Sequence, residues 1–145
     1  MFSGACASVL STLALAAAGR SENSRVSAPV NAISHWFWGD RALRKNRPSL
    51  RYTITGYAIH HAASVLWATL HARAWAATPR QRAPAALAAS SVAVASAACF
   101  VDFRLTPQRL TPGFEHRLSR PAIALVYGCF ALGLALGSGV ARRCA

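Results

Sequence analysis

The sequence predicts an all-α fold: an integral membrane bundle of four transmembrane helices, with a short interfacial amphipathic helix between the first span and the second. Two observations predict it. Segments 2–19, 54–70, 84–101 and 121–140 contain no Lys, Arg, Asp or Glu, so the 16 basic and 4 acidic residues are confined to what lies between and after them. At a rise of ~1.5 Å per residue each run reaches about 25 to 30 Å, the thickness of a hydrocarbon core. The second observation is the pairing of 54% hydrophobic residues with a formal charge of +12. Such a mixture suits a chain whose apolar and charged parts sit in different solvents. Four spans use about half of 145 residues, which leaves one domain and no room for a soluble module with its own core. The basic residues are dispersed through short connections and form no basic helix or aromatic RNA motif, so nucleic acid is not an expected partner.

The first span ends in Leu15-Ala-Ala-Ala-Gly19, small residues of the kind a signal peptidase cuts. No basic segment precedes Phe2 and the apolar run exceeds a usual signal core, so the span is expected to be retained. Cys6, Cys99 and Cys129 lie within spans and Cys144 in the tail, with no C-x-x-C pair. Cysteine at such positions acts as a small apolar residue, and no metal site is predicted.

The first connection holds a helix over 27–39 (SAPVNAISHWFWG), with Ser27 as N-cap, Pro29 in the first turn and Gly39 as the stop. At about 100° per residue Val30, Ile33, Trp36 and Phe37 share one third of the wheel, with Asn31, Ser34 and His35 opposite. Trp36 and Trp38, followed by Arg41, Arg44, Lys45 and Arg47, form a candidate site for anionic lipid headgroups. A cap packed over the bundle is the structural alternative.

The second span carries His60 and His61, read as the only ionisable residues within any span. Thr53, Tyr57, His60, Ser64 and His71 fall within about 60° on the wheel and make a polar stripe, while His61 stands about 100° aside. An imidazole in hydrocarbon needs a partner and is expected to be neutral. The structural reading is a hydrogen bond from His60 to Ser90, Ser91 or Ser96 of the third span. Alternatives are a proton or small-solute path and ligation of haem or metal. Haem is disfavoured, because His60 and His71 are about 16 Å apart on one helix and cannot share an iron.

The third span has eight alanines and is expected inside the bundle, because it inserts better against a neighbour than against lipid. After it Arg104-Leu-Thr-Pro107 is followed by a second copy, Arg109-Leu-Thr-Pro112. The prolines force the preceding threonines to extended geometry, so the helix is expected to stop near Asp102. One further helical turn fits within 113–119. Asp102 and Glu115 lie among Arg104, Arg109 and Arg117, which suggests a salt-bridge network folding the connection onto the membrane, with a ligand site for phosphate or a lipid headgroup as the alternative. In the fourth span Gly133 and Gly137 form a G-x-x-x-G face, expected to meet the third span of the same chain, with homodimerisation as the alternative.

Orientation follows from the arginines. The first and third connections hold eleven basic residues, the second connection and the tail five. Positive charge is retained on the cytoplasmic side, which places both termini outside.

The arrangement of SHWFWGD after the first span, TGYAIHHAAS in the second and VDFRLTPQRLTPGFEHRLS before the fourth resembles small multi-span inner-membrane proteins of high-GC proteobacteria. The resemblance covers most of the chain and implies a bacterial inner membrane, with no activity attached. Three classes of function follow. The leading one is a non-enzymatic membrane protein acting through membrane lipids, anionic headgroups or a membrane-protein partner, with no cofactor. A small proton-linked or solute transporter comes second, weakened by the lack of a membrane-embedded carboxylate. A haem or metal protein is third.

Overall fold

The computed structural model describes residues 2–23, 25–76 and 83–143. Among them are seven α-helices: α1 (Phe2–Asn23), α2 (Ala28–Ile33), α3 (His35–Trp38), α4 (Asp40–Leu43), α5 (Thr55–Ala76), α6 (Pro84–Phe100) and α7 (Arg120–Arg143), with no strand. Three of the helical stretches are long and apolar enough to cross a membrane, Phe2–Glu22, Pro84–Leu105 and Arg120–Ala141. The fourth long helix, α5, has 22 residues but is diluted by His60, His61, His71 and Arg73. Polar side chains lower its mean hydropathy without shortening it.

α1 is the central helix. Half of its apolar stretch is buried, against 33% for α7 and 22% for the Ala-rich stretch that contains α6. The expectation that the Ala-rich helix occupies the interior is therefore corrected. Its buried residues, Leu87, Ser91, Ala95 and Ala98, are spaced by three or four, so a single face is covered. That face rests mainly on α7, and α5 touches it much less.

The partner of the glycine face is corrected too. A Cβ on Gly133 would stand 2.4 Å from Ala7 Cα, and one on Gly137 would stand 2.5 Å from Ser3 Cα. The G-x-x-x-G face thus seats α1, not the third span. Small residues stand on both sides of the seam, and two backbones approach closely only where both faces lack bulk.

The first and third connections fold together as a cap over one end of the bundle. The helix expected over 27–39 is in two pieces, α2 and α3, and α2 is buried along its whole length. Its polar side does not face water: Asn31 and Ser34 are 0% exposed and His35 is 7% exposed. Ser27 makes no cap bond to the helix, and its hydroxyl donates instead to Asn46 O at 2.9 Å. Pro29 in the first turn and Gly39 as the stop, at φ +55, are as expected. Three bonds tie the two connections and α1 together. Trp36 Nε1 donates to Thr111 O at 2.8 Å, Arg117 Nη1 donates to Leu43 O at 2.9 Å, and Ser119 N donates to Glu22 Oε2 at 2.8 Å. At Gly113, φ +86, a Cβ would lie 2.5 Å from Ala32 O, so the chain turns there directly against α2.

Candidate functional site

The polar stripe of α5 is gathered on the buried side of the helix, where Gly56, Ser64, Ala68 and His71 are covered. Its members nevertheless meet three different neighbours. Thr53, on a π-helical turn (Leu50–Ile54) leading into α5, donates from Oγ1 to Asn31 Oδ1 at 2.6 Å. Asn31 Nδ2 in turn donates to Lys45 O and Arg47 O, both at 3.0 Å. His60 Nε2 lies 2.7 Å from Ser11 Oγ on α1. His71, about three turns deeper, places Nε2 2.9 Å from Ser90 Oγ and 3.5 Å from Ser91 Oγ on α6. Ser90 and Ser91 of the third span therefore belong to His71, and the expected pairing of His60 with a serine of that span is replaced by a bond to the first helix. Ser64 Oγ donates to His60 O at 2.8 Å, the local back-bond of a helical serine. Tyr57 and His61 stack against each other at 5.8 Å between centroids, and His61 Nδ1 is buried without a partner.

Asp102 is the functional group that sequence reasoning misplaced. α6 does not stop near it but continues as a π-helical turn, Val101–Leu105, before Thr106 turns extended at ψ 130. A π-turn inserts an extra residue into the helical ladder and re-aims the side chains that follow. Asp102 Oδ2 accepts from Tyr127 OH on α7 at 2.5 Å. Tyr127, Phe103 and Phe114 form a triangle of rings with centroids 6.1 to 6.4 Å apart. The one tyrosine among the apolar residues 121–140, Tyr127, was the available signal for a polar partner.

His60 and Asp102 line one cavity of about 90 Å³, below the cap and between the four long helices. Ser11, Ser64 and Tyr127 supply the other hydroxyls. Trp36, Trp67, Phe114 and Phe130 supply apolar wall. Such a volume exceeds the ~10–15 Å³ that a single water needs, so the cavity can take a small polar guest.

The expected network of Asp102, Arg104, Arg109, Glu115 and Arg117 is not an ion-pair network. Among the described residues the one ion pair is His116 Nε2 to Glu115 Oε1, at 3.9 Å. Arg104 and Arg109 are exposed, and Arg117 gives its guanidinium to Leu43 O and the Asn46 side chain. Backbone carbonyls freed where the cap helices end supply acceptors that the two acids do not.

The headgroup candidates divide. Trp36 is turned inward to Thr111 and the cavity, whereas Arg51 sits over the ring of Trp38 at 4.0 Å and Lys45 lies 5.5 Å from the ring centroid of Tyr52. Trp38 and Tyr52 meet edge to face at 6.4 Å. Arg41, Arg44, Lys45 and Arg47 are exposed. Beside them Phe37 and Leu50 are 69% and 85% exposed.

Among the described residues no three of His, Cys, Asp and Glu come together as metal ligands would. No family model matches the chain, nor does any curated protein or solved structure.

Proposed function

We propose that this chain is a non-enzymatic, multi-pass protein of the bacterial inner membrane, in which α1, α5, α6 and α7 all span the bilayer and the cap lies at the cytoplasmic surface. The single observation that carries the reading is the make-up of the cap. It collects Arg41, Arg44, Lys45, Arg47, Arg51, Arg104 and Arg109 at one end of an apolar bundle, next to exposed Phe37, Leu50 and Leu105. Apolar side chains flanked by aromatic rings and arginines suit the boundary between acyl chains and headgroups. The cap acts by holding anionic lipid, or a membrane-protein partner that shares that chemistry. Each exposed cation near an anionic surface contributes about 1 kcal/mol.

Two experiments test it. In nanodiscs of mixed lipid, the protein should enrich anionic over zwitterionic lipid around itself, and replacing Arg41, Arg44, Lys45 and Arg47 by Gln should remove most of that enrichment. Equal enrichment for both proteins overturns the lipid role. For orientation, Cys144, which lies outside the described residues, should react in intact cells with an impermeant thiol reagent once Cys6, Cys99 and Cys129 are Ser. Reaction only after lysis overturns the topology.

A second reading, transport of a proton or small solute, is favoured by the Asp102 carboxylate at the wall of the cavity, the group the transporter reading lacked at the level of sequence. Flux into liposomes that disappears with His60→Asn would support it, and flux unchanged by that substitution would exclude the path through the stripe.

A further inference from the structure

We propose that the cavity beneath the cap is a binding site for a small organic cation, with Asp102 as its counter-ion. This goes beyond lipid binding by the cap and stands or falls independently of it. The argument starts from charge. The chain has 16 basic residues against 4 acidic ones, yet the cavity wall contains one carboxylate and no lysine or arginine. Among the described residues Asp102 has no ion pair, and its hydrogen bond comes from the neutral Tyr127 hydroxyl. Asp102 is half-buried, and a carboxylate partly withdrawn from water without a counter-charge is destabilised, so a cation beside it is the chemically matched guest.

Apart from the Trp67 indole N–H, the donors of the wall are already used. The Trp36 indole N–H goes to Thr111 O, the Tyr127 hydroxyl to Asp102, and the Ser11 hydroxyl lies 2.7 Å from Ala7 O. An anion would find almost nothing to hold it. What remains towards the cavity is the carboxylate and the rings of Trp36, Trp67, Phe114, Tyr127 and Phe130, whose faces attract an alkylated cation that has shed part of its hydration. His60, the one imidazole of the wall, is held by Ser11. Size narrows the class. A cavity of ~150 Å³ accommodates benzene, so 90 Å³ accepts about three or four heavy atoms, the dimensions of dimethylammonium.

The full-length protein in nanodiscs of zwitterionic lipid should be titrated with dimethylammonium chloride while tryptophan fluorescence is followed, since Trp36 and Trp67 line the site. Isopropanol serves as a neutral probe of similar shape and sodium chloride as an ionic control. The expected result is a saturable change with dimethylammonium alone, weakened at least tenfold in Asp102→Asn and lost in Ala63→Leu, which fills the cavity and leaves Asp102 and Tyr127 in place. An equal response to isopropanol means an apolar pocket, and an equal response to sodium chloride means an inorganic-cation site or a bulk salt effect. Either overturns the proposal, as does an unchanged affinity in Asp102→Asn or no response in the wild type. Should Asp102→Asn fail to fold, Ala63→Leu decides: retained binding there places the cation elsewhere.

Discussion

Four glycines on α7 provide an internally controlled test of the packing. A Cβ placed on Gly133 would lie 2.4 Å from Ala7 Cα and 2.7 Å from Ala7 N, and one on Gly137 2.5 Å from Ser3 Cα, where ordinary contact begins at 3.4 Å. The obstructing atoms are main chain, so no rotamer change relieves the overlap of about 1 Å, and α1 has to move away from α7 along a seam that includes Ala7 and Leu134, both 0% exposed. Overpacking of this kind costs about 1–3 kcal/mol, here at the upper end because both backbones are rigid helices. On Gly128 and Gly139 a Cβ meets nothing within 4 Å. Gly→Ala at those two positions should be neutral or stabilising by up to ~1 kcal/mol through helix propensity. Unfolding in mixed micelles by SDS titration, followed by far-UV circular dichroism, should therefore separate Gly133→Ala and Gly137→Ala from Gly128→Ala and Gly139→Ala in sign. If all four variants unfold at the same SDS fraction, the α1–α7 seam described here is wrong.

The Ser11–His60 bond should be visible in the same measurement. His60→Leu is expected to lose about 0.6–2 kcal/mol and His60→Asn much less. Ser11→Ala should add nothing to His60→Leu, and full additivity of the two would show that the residues do not interact. Asn31→Ala removes the donor to two carbonyls and the acceptor for Thr53. It should cost about 3 kcal/mol and open segment 44–49 to protease, and an unchanged digestion pattern would count against the cap. Tyr127→Phe leaves Asp102 without its hydrogen bond and should cost about 1.5–3 kcal/mol in thermal unfolding. A melting temperature equal to wild type would show that the bond contributes nothing.

The faces of the long helices were legible because one helical period determines which residues look the same way. Ser64 and His71 lie on the buried side of α5 as the wheel predicts. Which helix meets a face was not legible, because Ser11, Ser90 and Ser91 offer the same hydroxyl and nothing local tells them apart. The small residues of α1, Ser3, Ala7 and Ser11, match Gly133 and Gly137 as well as the alanines of α6 do. Their selection depends on the whole bundle. The cap misled for a different reason. An amphipathic pattern over 27–39 normally means one wet face, but Asn31 and Ser34 are buried because carbonyls of Lys45, Arg47 and Asn31 itself complete their hydrogen bonds. Asp102 was assigned to a loop by a proline rule that correctly gave the extended Thr106 but could not foresee the π-turn before it.

The most extensive seam among the described helices joins α1 to α7, with Gly133 against Ala7 and Gly137 against Ser3, and this constrains the order of assembly. At a synthesis rate of about 5–20 residues per second, α1 is made several seconds or more before α7 exists. In that interval Ser3, Ala7 and Ser11 face lipid or α5 alone, and the groove that Gly133 and Gly137 will fill stays open. Contacts so distant along the chain form late, so completion of this bundle is a single late closing event, once α7 has been made, rather than a gradual accretion. A chain stalled before α7 emerges would present quality-control proteases with an unzipped first helix.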